Sequence, residues 1–200
     1  MEGDQRRLPE GLLAPCGCSP PNCVAKSNEV PRPGYDGAED ASEYLDEGST
    51  LTLKVRRLAE MIRASRKCIY YTGAGISTAS GTPDYASKAR HSKAPHRGKS
   101  EGNRLEAQPT YGHHALAALA RKANGKVLWL EQNHDRLALK AGFPVANLNE
   151  IHGAWGDNKN RVKMMDDTLR RDLREEMEDW AQNADLCIAL GTSLCGMTAD

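Results

Sequence analysis

The sequence predicts an α/β fold, a parallel sheet flanked by helices, and three observations predict it. Short apolar or β-prone runs recur at 68–72, 127–130, 145–151 and 186–190. Helical apolar periods lie before and between them, as crossovers between parallel strands require. Each run ends in glycine or small polar residues, and parallel sheets carry their chemistry at these carboxyl ends.

Composition sets the limits. The chain has 200 residues, one Phe and a mean hydropathy of −0.64. Such a chain builds a small aliphatic core and leaves part of its length outside it. Charge balances at 27 basic against 27 acidic residues, which argues against a uniformly basic nucleic-acid binder. No run of apolar residues is long enough to span a membrane. Met1–Leu13 carries Glu2, Asp4 and Glu10 and does not read as a secretory leader. An intracellular chain is expected.

Residues 1–47 hold ten acids and four bases, a net of −6. Six prolines interrupt any helix or ladder there. The segment is expected to be a disordered acidic tail, with the folded domain at 48–200. Its Cys16, Cys18 and Cys23 have no fourth ligand within reach and read as solvated thiols rather than a metal site. Six cysteines, three of them in this segment, fit a reducing compartment.

Val55, Leu58, Ala59 and Ile62 mark one face of a helix that Thr50 or Thr52 can cap. Cys68–Thr72 is the first strand. Residues 88–104 carry a net charge of +5 and no apolar period, so a surface loop is expected. Two readings stand for it, a solvated cofactor-loop insert and a nuclear-import or nucleic-acid patch. Residues 110–123 form an Ala-rich helix with Leu116 and Leu119 inward, and His113 and His114 as polar residues of its start rather than ligands. Val127–Leu130 is a strand covered on both faces; 145–151 is a weaker one. A long helix is expected over 161–183, with Val162, Met165, Leu169, Leu173, Met177 and Trp180 as a core stripe. Leu186–Leu190 is a buried strand.

The four strand ends together define a cleft. They carry Gly73, Ala74, Gly75 and Ser77; Gln132, Asn133, His134 and Asp135; His152 and Gly153; and Gly191, Thr192 and Ser193. A glycine turn lets backbone N–H groups approach a pyrophosphate at the following helix start. Alone it is weak evidence; four such ends in one sheet are much stronger.

These motifs resemble the sirtuin family of NAD-dependent protein deacylases. The matching stretches are Thr72–Tyr85 (TGAGISTASGTPDY), Gln132–Asp135, Ile151–Gly153 and Gly191–Leu194. They span roughly residues 48–200, and the wording Ile76–Gly81 is most like the nuclear, histone-directed branch. The resemblance implies a Rossmann-like fold and NAD as cofactor. It implies an acyl-lysine protein substrate, a histone among the candidates, and a nuclear location. Gly73, Ala74 and Gly75, with Ser77 and Asp84 in the same motif, would cradle the cofactor, and Tyr85 would cover its ribose. Asn133 and Asp135, beside Gln132, would line the nicotinamide pocket. Gly191, Thr192 and Ser193 would face the adenosine half. His152 would be the general base, a role an imidazole suits at neutral pH.

Four departures from the family pattern stand out. Ala86 replaces an arginine, and His134 an apolar residue. Residues 154–190 contain Cys187 alone, so neither the family's four-cysteine zinc module nor any other bound zinc is expected in the folded part. The chain stops at Asp200, ahead of a further family strand, and a sheet incomplete at its carboxyl end is expected. The alternative to an active deacylase is a weak or inactive NAD/ADP-ribose-binding protein. A dehydrogenase ranks third, because no acid stands about 20 residues beyond the glycine turn.

Overall fold

The computed structural model describes residues 19–27, 42–82, 106–164, 167–192 and 194. Asp84, Tyr85, Ala86, Ser193, Cys16, Cys18, Cys195, Met165 and the basic stretch 88–104 lie outside the described residues. The chain divides into two compact units.

The first unit contains strands β1 (Asn22–Ala25) and β2 (Glu43–Leu45) and helix α1 (Gly48–Ala64). The two strands pair antiparallel, Asn22 opposite Leu45, so ordered backbone occurs inside the segment expected to be a tail. Ser42 fastens the pair by accepting from the Ser27 N–H at 2.9 Å. Helix α1 starts earlier than expected. Thr50 and Thr52 are therefore helical rather than capping, and the Thr52 hydroxyl donates to the Gly48 carbonyl four residues back at 2.7 Å. Val55 and Leu58 are exposed, while Ala59 and Ile62 are half-buried.

The second unit holds the sheet. Its strands are β3 (Cys68–Thr72), β4 (Val127–Glu131), β5 (Leu148–Glu150) and β6 (Leu186–Leu190), in the order β5-β4-β3-β6 and all parallel. Helix α2 (Tyr111–Lys122) and the short α3 (Leu137–Lys140) pack on one face through Leu116, Ala117, Ala120 and Ala138 against Tyr70, Val127 and Trp129. Helix α4 (Arg171–Asn183) packs on the other through Trp180, Leu173 and Met177 against Ile69, Tyr71, Leu128 and Leu130. Alternate residues of β3 and β4 thus feed two cores, and every residue of both strands is buried. Full burial of an aliphatic side chain such as Leu137 or Ile151 stabilises by about 1.5–3 kcal/mol. This is the Rossmann-like layering the sequence predicts.

Three expectations need correction. The helix expected over 161–183 begins only at Arg171. Ahead of it, backbone groups are taken locally: Lys163 N–H bonds the His152 carbonyl at 2.9 Å, and Asp167 accepts from Met164 N–H at 2.8 Å. Such side-chain acceptors compete with a helical ladder. Strand β6 is not buried throughout. Among the described residues it is a sheet edge, and Cys187 and Ala189 are exposed. Leu119 on α2 is 41% exposed; Leu116 is the inward leucine.

Candidate nucleotide cleft

The cleft is built where β3, β4, β5 and β6 end. After β3 the chain enters a 3-10 turn, Ala74–Ser80. Gly73 N–H bonds the Leu190 carbonyl at 3.1 Å and Gly75 N–H the Gly191 carbonyl at 2.7 Å. Two of the N–H groups expected to face a phosphate are therefore spent on β6 and its end. The glycines serve close approach instead: a Cβ on Gly75 would lie 2.8 Å from Gly191 Cα. Gly191 itself has φ +60°, and its Cβ would run into the Ile76 N–H.

Gln132 bridges three strand ends. Its side-chain oxygen accepts from Thr192 Oγ1 at 2.8 Å, and its amide donates to Tyr71 Oη at 2.5 Å. The Asn133 amide donates to the Gly73 carbonyl at 3.1 Å and to Ser77 Oγ at 3.0 Å. Ser77 Oγ donates to Asp135 Oδ2 at 2.6 Å, and Asp135 Oδ1 accepts from Leu137 N–H at 2.9 Å. Ser77, Asn133 and Asp135, all buried, thus form one corner.

His152 follows β5 and is 5% exposed. Its Nδ1 lies 3.2 Å from the Gln132 carbonyl. A carbonyl only accepts, so Nδ1 carries the proton and Nε2 is the basic atom. His134 makes the same kind of contact, Nδ1 to the Gly153 carbonyl at 3.0 Å, with its ring 6.5 Å from that of His152. Gly153 has φ +81°, and a Cβ there would strike the Arg161 carbonyl. The chain turns back at this point: Ala154 N–H bonds the Asn160 carbonyl at 2.8 Å, and the Asn160 amide donates to the Glu150 carbonyl at 2.9 Å. Residues 154–160 thus form a short folded-back loop. Among the described residues the thiols are Cys23, Cys68 and Cys187, all free. Burial pushes the Cys68 thiol up to about 11.

Sequence reasoning missed two residues. His113, read as a polar residue of the helix start, is completely buried. It closes a capping box with Thr110 and stacks on Trp129 at 6.0 Å. Glu131, last in the apolar run of β4, is also completely buried. Burial first, then the Asp135 and Glu150 charges, holds its carboxyl well above the usual carboxylate range; the Thr72 hydroxyl opposes this weakly. The signal for His113 was available: it stands three, four and seven residues before Leu116, Ala117 and Ala120, the buried face of α2.

A four-stranded parallel sheet covered by helices on both faces, with amide, hydroxyl and glycine residues at its strand ends, is a Rossmann-like α/β protein. No family model matches the chain. It is 32% identical over 145 residues to the NAD-dependent protein deacetylase sirtuin-7 of Rattus norvegicus, covering 68% of this chain and 36% of that protein. It is 34% identical over 124 residues to the NAD-dependent protein deacetylase Sirt6 of Drosophila melanogaster, covering 60% and 39%. A solved structure of Sir2Tm bound to a propionylated peptide matches in fold with a TM-score of 0.59 and 24% identity, covering 73% of this chain and 78% of that one. The chain belongs to the sirtuin family. It spans about two fifths of the length of the curated relatives it matches.

Proposed function

We propose that the chain is an NAD-dependent protein-lysine deacylase that transfers the acyl group to ADP-ribose and releases nicotinamide. The observation that carries this reading is the placing of a basic His152 Nε2 by the Gln132 carbonyl, beside a buried Ser77–Asn133–Asp135 corner. The donor set suits the cofactor. Asn133 and Asp135 offer an amide and a carboxylate to a carboxamide, and Thr192, with Gly73 and Gly75 behind it, offers a hydroxyl to a ribose. Asp84, Tyr85 and Ser193 complete the set by resemblance. Bound NAD supplies a ribose carbon activated by a departing nicotinamide.

The chain's own residues bind, orient and take protons. The Nδ1–H of His152 is held by a carbonyl, so the ring keeps one orientation and one tautomer. Its Nε2 then takes a proton from a ribose hydroxyl, a step that contributes about 10²–10⁴-fold in rate. Ser77 fixes Asp135 so that its carboxylate needs no rearrangement when the cofactor binds. The acyl-lysine substrate belongs to a protein, and the wording of Ile76–Gly81 favours a histone in the nucleus.

A second reading, an NAD- or ADP-ribose-binding protein of weak activity, has one observation in its favour. The N–H groups of Gly73 and Gly75 already serve Leu190 and Gly191, which leaves fewer donors for a phosphate. The test is His152→Ala. Deacylation of an acetyl-lysine peptide should fall at least about 100-fold while NAD binding persists. Unchanged turnover in that variant removes His152 from the reaction.

A further inference from the structure

The segment after β4 and the turn after β5 are laced together by hydrogen bonds that run in both directions. His152 donates from Nδ1 to the Gln132 carbonyl at 3.2 Å. His134 donates from Nδ1 to the Gly153 carbonyl at 3.0 Å, and its own carbonyl accepts from Trp155 N–H at 2.9 Å. The His134 ring stands 6.5 Å from the His152 ring and 6.2 Å from that of Trp155. Strands β4 and β5 pair as far as Glu131 and Glu150. These bonds carry the contact past the last rung of the ladder, to His152 itself.

The turn needs an outside hold. Gly153 has φ +81°, and glycine resists backbone rotation less than other residues. Main-chain donors fix the neighbouring groups: Lys163 N–H to the His152 carbonyl, Gly153 N–H to the Glu150 carbonyl and Ala154 N–H to the Asn160 carbonyl. The Gly153 carbonyl is held by a side chain, that of His134. Gly153 is buried, and a buried carbonyl without a donor is costly. Once the donor is lost, this peptide turns towards water and pulls on His152. The bond from His152 to Gln132, at 3.2 Å, is the longest of the three that join the two segments here.

We infer that His134 is a positioning residue for His152. It fixes the Gly153 peptide, and through it the ring orientation that keeps Nδ1–H on the Gln132 carbonyl and Nε2 basic. This role rests on the deacylase reading, which supplies the reaction that His152 serves; the hydrogen bonds themselves do not. A carbonyl only accepts, so His134 donates from Nδ1 whether its ring is neutral or protonated. The hold therefore does not depend on the charge of His134. What it requires is a donor at the δ position. Asparagine has one, two bonds from Cβ as in histidine; leucine and alanine have none.

The test compares the full chain with His134→Leu and His134→Asn. The first readout needs neither NAD nor turnover: the nitrogen chemical shifts of the His152 ring at about pH 8, where an ordinary imidazole is neutral. The expected result is the Nδ1–H tautomer in wild type and in His134→Asn, and a mixture of tautomers in His134→Leu. The second readout is nicotinamide release with NAD and an acetyl-lysine peptide. Misplacing a reacting group by about 1 Å can cost about 100-fold. In His134→Leu, kcat should fall roughly 10- to 100-fold while KM for NAD stays within about twofold. His134→Asn should recover most of that loss. An unchanged His152 tautomer in His134→Leu overturns the role, as does a His134→Asn variant as slow as His134→Leu. A wild-type chain without peptide-dependent release overturns the deacylase reading, and the ring spectra then decide whether His134 holds His152. If His134→Leu fails to fold, His134→Ala, which also lacks the donor, takes its place.

Discussion

The hydroxyl of Ser77 donates to Asp135 Oδ2 at 2.6 Å although 58 positions separate the two residues. This bond ties the turn after β3 to the turn after β4. Both partners are buried, so no solvent replaces the hydroxyl if it is lost. Ser77→Ala leaves a buried carboxylate oxygen short of its donor, which costs about 1–3 kcal/mol. A chain of this size loses about 2–4 °C of unfolding temperature per kcal/mol. Thermal unfolding of Ser77→Ala should show that loss; an unchanged midpoint would mean that Asp135 finds another donor.

Gly75 and Gly191 bring the ends of β3 and β6 together more closely than side chains permit. Gly191→Ala places a methyl against the Ile76 N–H at a backbone φ of +60°. Overpacking of this kind costs about 1–3 kcal/mol, and the positive φ adds to it. Urea unfolding should register a lower midpoint, together with weaker NAD binding measured by calorimetry. Full stability in Gly191→Ala would show that β6 moves away without cost.

Asp185 anchors the start of β6. Its carboxylate accepts from Ser65 Oγ at 2.5 Å and from the N–H groups of Arg66 and Lys67 at 2.9 Å and 3.1 Å. These bonds, the Ser65 hydroxyl first, hold the carboxyl well below the usual carboxylate range. A depressed folded-state value gives stability that is fully present above the unfolded value near 3.9 and is lost as pH falls towards the folded value. Asp185→Asn should therefore lower the unfolding temperature at pH 7, and the gap to wild type should narrow below about pH 4. A gap independent of pH would assign the effect to packing.

Much of this unit is legible in the sequence, for physical reasons that differ by element. Val127–Leu130 reads as a strand buried on both faces because α2 and α4 cover it from opposite sides. The four strand ends read as a cleft because parallel strands all end at one edge. The helix over 161–183 misleads because apolar spacing continues through 162–169 while Asp167 and the His152 carbonyl capture the backbone N–H groups. His113 misleads in another way. A histidine at a helix start reads as a polar end residue, yet the helix period places it over Trp129. Glu131 is aligned with Thr72 and Glu150 across three strands, a register that apolar spacing does not reveal.

Nicotinamide release tests the account most directly. The full chain is incubated with NAD and an acetyl-lysine peptide, and free nicotinamide is measured. The account predicts release that requires both NAD and the acetylated peptide, yields one deacetylated lysine per nicotinamide, and is lost in His152→Ala. NAD binding with no peptide-dependent release would contradict it and leave a binding protein.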